Sequence, residues 1–175
     1  LRSLGRTATG LVCKWLRHFI ANAPLRGTPL NEVLCGWELS SMNWKFYSEY
    51  YEDIPLPPDY TFPQAFNYLN NEGNSFYILE KQQGYLQLAG SKDACTVELR
   101  ESHVDGTFRH GVFYNEAGSD EVVEIKMTHG SVRRKAKHLF GFLKAAAIFR
   151  SYYEGTAWPS GVKLEDISDE FNEPA

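Results

Sequence analysis

The stretch GYLQLAGSKDACTVELRE, residues 84–101, decides the fold. It sets two apolar alternations around the polar turn GSKD, the pattern of two strands joined by a tight connection. In the second run, alternation places Cys95, Val97 and Leu99 on one face and Thr96, Glu98 and Arg100 on the other. Neighbouring runs of the same kind follow in close order: Ser75–Glu80, Gly84–Gly90, Ala94–Glu101, Thr107–Asn115 and Glu121–Thr128, separated by KQQG, GSKD, VDG and EAGSD. Connections this short imply antiparallel pairing, so the centre of the chain is expected to be a meander of about five strands.

Helical patterns flank it. Tyr60–Leu69 reads as a helix capped by Asp59 or Thr61, with Pro63 in its first turn and Phe62, Phe66 and Leu69 buried. A longer one is expected from Ser131, as N-cap, to Gly155, with Val132, Ala136, Leu139, Phe140, Leu143, Ala146 and Ala147 as the stripe that covers the sheet. The fold class is therefore α+β: an antiparallel meander sheet packed by a long C-terminal amphipathic helix and shorter N-terminal helices. In the first forty residues Leu11, Val12, Trp15, Leu16, Phe19 and Ile20 recur at helical spacing until Pro24.

The whole chain, 175 residues and 43% apolar, suits one domain with a substantial core. Its net charge of −4 conceals an asymmetry: residues 1–41 hold five cations against two acids, +3, and the remaining thirteen cations against twenty acids, −7. Residues 1–41 are accordingly read as a basic helical leader, and 42–175 as a single domain with an acidic tail. The chain opens on Leu1, and Met42 is the expected start of that domain. Lys14, Arg17 and His18 interrupt the apolar stretch 11–20, which disqualifies it as a membrane span or signal core. Cys13, Cys35 and Cys95 match no metal spacing and suit the reduced thiols of a cytoplasmic protein.

Candidate chemistry centres on the strand at 94–101. Glu98 and Arg100 share a face, and His110 on the next strand falls beside them; a Glu/His pair could do general acid–base work. The alternative is a solvated face of cross-strand charge pairs, favoured because no nucleophile sits at a suitable spacing. None of the five histidines has the spacing of a metal-binding pair, so neither metal nor cofactor is expected. The run SVRRKAKH, 131–138, places cations in the first turn of the expected helix, where the dipole disfavours them. Pairing with the acidic tail, a solvated basic face, or a phosphate contact would each offset that. Finally, NWKFYSEYYEDIPLP (43–57) and SYYEGTAWP (151–159) set aromatic rings beside carboxylates, a composition suited to docking on a basic protein.

The order Tyr85, Gln87, Ala89-Gly90, then an apolar strand with Glu98 and Arg100, then His110 in FRHGVF and a final amphipathic helix, resembles the immunity proteins of bacterial polymorphic toxin systems, particularly the first-numbered Imm family. The resemblance covers about residues 42–155. It implies a non-enzymatic cytoplasmic antidote that binds a cognate toxin domain, often a nuclease or deaminase, and blocks its active site, with no direct nucleic-acid or membrane contact. An acidic inhibitor suits a toxin with a positive substrate groove. The expected partner contacts are Glu49, Tyr50, Tyr51, Glu52 and Asp53, with Glu165, Asp166, Asp169 and Glu170 as an alternative surface. Two other functions remain open at this point: a small enzyme using Glu98 and His110, and a structural adaptor of a larger assembly.

Overall fold

In the computed structural model the described residues are 44–50, 54–56 and 59–171. The expected leader 1–41, its boundary at Met42, and the candidate contacts Tyr51, Glu52 and Asp53 lie outside them.

The chain is α+β. Among the described residues nine strands are present: β1 (Lys45–Ser48), β2 (Ile54–Pro55), β3 (Phe76–Lys81), β4 (Gly84–Gly90), β5 (Cys95–Ser102), β6 (Phe108–Asn115), β7 (Val122–Met127), β8 (Gly130–Lys135) and β9 (Val162–Asp166). Two α-helices accompany them among the described residues, α1 (Phe62–Phe66) and α2 (Phe142–Glu154). Seven strands form one antiparallel sheet in the order β2-β1-β3-β4-β5-β6-β9, and β7 and β8 form a separate hairpin.

The expected meander holds from β3 to β6 and then breaks. The fifth run, β7, leaves the sheet to pair with β8, and β9 returns to take the place beside β6. The loop after β6 directs this exit. Gly118 lies so close to the Lys137 backbone that a Cβ would overlap it, and the Lys137 and Ala136 amides donate to the Ser119 and Glu121 carbonyls. The loop thus grips the segment that follows the hairpin.

The long helix expected from Ser131 is corrected. Residues 130–135 are strand β8, Ala136–His138 make one 3-10 turn, and α2 begins only at Phe142 with Gly141 as its N-cap. The apolar spacing of Val132, Ala136 and Leu139 mimics a helical stripe, but Glu124 opposite Arg133 and Ile125 opposite Val132 bring the segment into a ladder. The helix ends as expected at Gly155, in the left-handed conformation. Its buried side is Ala145, Ala146, Ile148, Phe149 and Tyr152, while Leu143, expected inside, is exposed. The first helix is also shorter than Tyr60–Leu69, yet Phe62, Phe66 and Leu69 are all buried. Thr61 is its N-cap without a side-chain cap bond, and Pro63 lies in the first turn.

The core fills the space between the helices and one face of the sheet. Cys95, Val97 and Leu99 point into it as alternation requires, beside Leu79, Leu86 and Leu88. An aromatic cluster ties the helices to the sheet: Phe66 meets Phe149 edge-on at 4.9 Å and Tyr77 at 5.0 Å, and Phe46 stacks on Tyr77 at 5.3 Å. Such pairs add to the area each ring buries.

Candidate functional site

The other face of the sheet carries the polar chemistry. Its register forms one continuous cross-strand row, Tyr47–Ile78–Gln87–Glu98–Val112–Glu165. The β7–β8 hairpin covers this row, with Ile125 buried against Gly90. The expectation of a solvated face is therefore corrected: Glu98 is 8% exposed and His110 3%.

Two elements, β6 and β8, bring side chains to Glu98. His110 Nε2 lies 3.1 Å from one carboxylate oxygen, and Arg134, from β8, donates to the other through Nε at 3.2 Å and Nη2 at 2.9 Å. Burial alone would raise the Glu98 pKa, but the hydrogen bond to His110 and the charge of Arg134 outweigh it and hold the carboxyl down at about 2. The His110 backbone amide donates to Ser168 Oγ at 2.9 Å, its carbonyl accepts from Ile167 N at 2.8 Å, and the Phe171 ring lies 4.2 Å from the imidazole, whose buried Nδ1 has no hydrogen-bond partner. Arg100, although on the same face, does not pair with Glu98; its guanidinium lies 3.7 Å from the centre of the Phe108 ring.

The basic run and the acidic tail meet here. Glu165 takes Lys137 at 3.2 Å and His138 at 3.1 Å, and Arg134 Nη1 approaches Glu170 at 3.6 Å. Hydrogen bonds from His138 and Lys137 depress the Glu165 pKa against the opposing effect of burial, while burial pushes His138 down. Because 131–135 is a strand, its cations never face a helix dipole, and the conflict expected from the sequence does not arise.

Several expected partner contacts thus have internal partners. Glu49 accepts from the Ser75 amide and hydroxyl and from Thr128 Oγ1 at 3.2 Å, tying β1 to the hairpin turn, and its side chain is almost wholly covered. Asp166 accepts from Arg109 at 3.1 Å and from Ser168 Oγ at 2.6 Å. Asp169 remains exposed. Tyr50 is 66% exposed, with its hydroxyl against Gly73 in the loop 70–74. Tyr68, two residues before the same loop, is 72% exposed; Asn70 Nδ2 donates to its carbonyl, and Asn70 Oδ1 accepts from the Glu72 amide.

The sequence missed Arg134 and Tyr68. Arg134 was hidden because its segment carries both helical and strand spacing, and only the pairing with β7 makes it a strand and turns Arg134 to the sheet. Tyr68 lies in the turn after α1, just before Leu69 and off the stripe of Phe62, Phe66 and Leu69.

Glu98 and His110 do not line the cleft of about 290 Å³ that opens on the helix-bearing face, where Leu99, Glu101 and Tyr152 form part of the wall. Among the described residues no three candidate ligands converge into a metal site, and no helix is long and apolar enough to cross a membrane. Compared with known proteins, the chain matches no family model, and no curated protein or solved structure shows significant similarity to it.

Proposed function

We propose that this chain is an immunity protein: a binding antidote, acting in the bacterial cytoplasm, that occupies the active site of a cognate basic toxin domain such as a nuclease or deaminase. The observation that carries the reading is the exposure of Tyr50, whose hydroxyl meets Gly73 of the loop 70–74, and of Tyr68 and Glu72 in and next to that loop. Exposed tyrosines supply large contact area at low entropic cost, and an acid among them steers a positive surface into place. The charge of −7 over residues 42–175 supports the same partner. The resemblance over 42–155 supplies the class.

The enzyme reading has the 3.1 Å Glu98–His110 contact in its favour. Against it, a general base for an external substrate must be reached by that substrate, and both side chains are covered by the hairpin and the tail turn. The arrangement suits a structural clamp better.

The test is co-purification and calorimetry with the product of the adjacent gene. A stoichiometric complex that weakens with salt is expected, and the double variant Tyr50→Ala/Tyr68→Ala should bind about thirtyfold or more weaker. Absence of a complex at low salt would overturn the proposal.

A further inference from the structure

The helix-bearing face ends in the cleft of about 290 Å³, whose charged walls come from a single cross-strand row. Lys81 on β3 stands opposite Gly84 on β4, and Gly84 opposite Glu101 on β5. Alternation puts all three on the face that bears Leu79, Leu86 and Leu99. Neighbouring strands lie about 4.8 Å apart, so the Lys81 and Glu101 backbones are separated by about 10 Å. Glycine sets no side chain between them, and a Cβ there would overlap the Arg100 carbonyl oxygen.

Both charges are left without a counter-ion among the described residues. Lys81 Nζ lies 4.4 Å from the Tyr152 ring centre and 5.7 Å from that of Trp44, and neither Lys81 nor Glu101 forms an ion pair. The buried Tyr152 hydroxyl also has no hydrogen-bond partner; burial, reinforced by the charges of Glu101 and Glu80, pushes its pKa up. Leu99, Ala157 and Trp158 supply apolar wall.

That wall is preformed. Gly155 turns the chain in the left-handed region, the Thr156 amide donates to the Ser151 carbonyl at 2.9 Å, and Ser151 Oγ donates to the Ala157 carbonyl at 3.0 Å. Trp158 packs edge-on to Phe113 at 4.8 Å. A site whose walls are already ordered loses little entropy on binding, and its volume is at the small end of ligand sites, which start at about 300 Å³.

We propose that this cleft binds a free α-amino acid with an apolar side chain, its carboxylate on Lys81, its ammonium on Glu101 and its side chain against Trp158. A ligand of single charge would pair one protein group and desolvate the other without a partner, which costs free energy. A zwitterion satisfies both, and its two charged groups on one carbon suit two side chains that line the same cleft from strands either side of a glycine. The site is independent of the toxin-binding patch.

The experiment is isothermal titration calorimetry of the full chain with L-leucine and L-phenylalanine at neutral pH, alongside 2-phenylethylamine, which lacks the carboxylate, and N-acetyl-L-phenylalanine, which lacks the cation. Saturable one-to-one binding of at least one amino acid is expected, with each phenylalanine analogue about tenfold or more weaker than L-phenylalanine. Lys81→Met and Glu101→Gln should each weaken binding to a similar degree while circular dichroism stays unchanged. The analogues probe the unaltered protein, so their discrimination does not depend on how the variants fold. No saturable binding of either amino acid, an amine that binds as tightly as the amino acid, or folded variants with unchanged affinity would each overturn the assignment.

Discussion

Glu98→Gln probes the clamp that holds the hairpin and the tail to the outer face of the sheet. In the folded chain the Glu98 carboxyl titrates at about 2 in place of its ordinary 4.5, because its bonds to His110 and Arg134 overcome burial. A tenfold change in acidity corresponds to about 1.4 kcal/mol, so ionised Glu98 contributes about 3 kcal/mol of stability at neutral pH. The folded value is the lower one. The contribution is therefore complete above about pH 5 and is lost as the pH falls from there towards 2. Glutamine has no proton to gain, so the variant lacks this dependence. The stability difference between wild type and Glu98→Gln should shrink by about 2 kcal/mol between about pH 5.5 and about pH 3. Urea unfolding followed by tryptophan fluorescence measures it, since Trp44 and Trp158 pack on the core. Asp105, Asp120, Glu165 and Asp166, whose pKa values are also lowered, titrate in both proteins and cancel in the difference. A difference that stays flat over that range would refute the account of Glu98 as a buried, charge-held carboxylate.

Glu49→Ala removes the acceptor for the Ser75 amide and hydroxyl and for Thr128 Oγ1, and should cost about 2 kcal/mol, seen as a lower melting temperature by circular dichroism with partner affinity unchanged. A variant that melts like wild type but loses its partner would return Glu49 to the binding surface. Cys95 is buried, donates to the Phe140 carbonyl at 3.2 Å, and burial pushes its thiol up to about 12. It should resist iodoacetamide in the native chain and react in urea; a native rate equal to the unfolded one would contradict the packing.

What the sequence made legible is local. Residues 84–101 revealed both strands and both faces, because Leu86, Leu88, Val97 and Leu99 alternate with polar residues over a full strand length. The segment 131–141 misled for a complementary reason: Val132, Ala136 and Leu139 fall at helical spacing while Arg133 and Lys135 fall at strand spacing, and only the pairing with 122–127 decides between them. The second neighbour of β6 was not legible. Val122–Met127 and Val162–Asp166 offer similar short alternations, and the choice rests on Gly118 and the Lys137 backbone, a contact that no periodicity encodes. The cover over Glu98 was hidden likewise. A face that reads Thr96, Glu98, Arg100 looks solvated until a second layer brings Arg134 to it.

The two layers on the sheet differ in what they demand. The helix side is apolar, and such packing tolerates substitution as long as volume is kept. The hairpin side is fixed at points: Arg134 on Glu98 near one end, Thr128 on Glu49 and Ser75 at the other, and Ile125 against Gly90. Separating a buried ion pair of this kind is costly, because a misplaced hairpin leaves Glu98 charged, covered and without Arg134. Acids that act in this way are unavailable to a partner. If the domain docks on a basic surface as proposed, the steering charge has to come from carboxylates outside the clamps, such as the exposed Glu72 and Asp169.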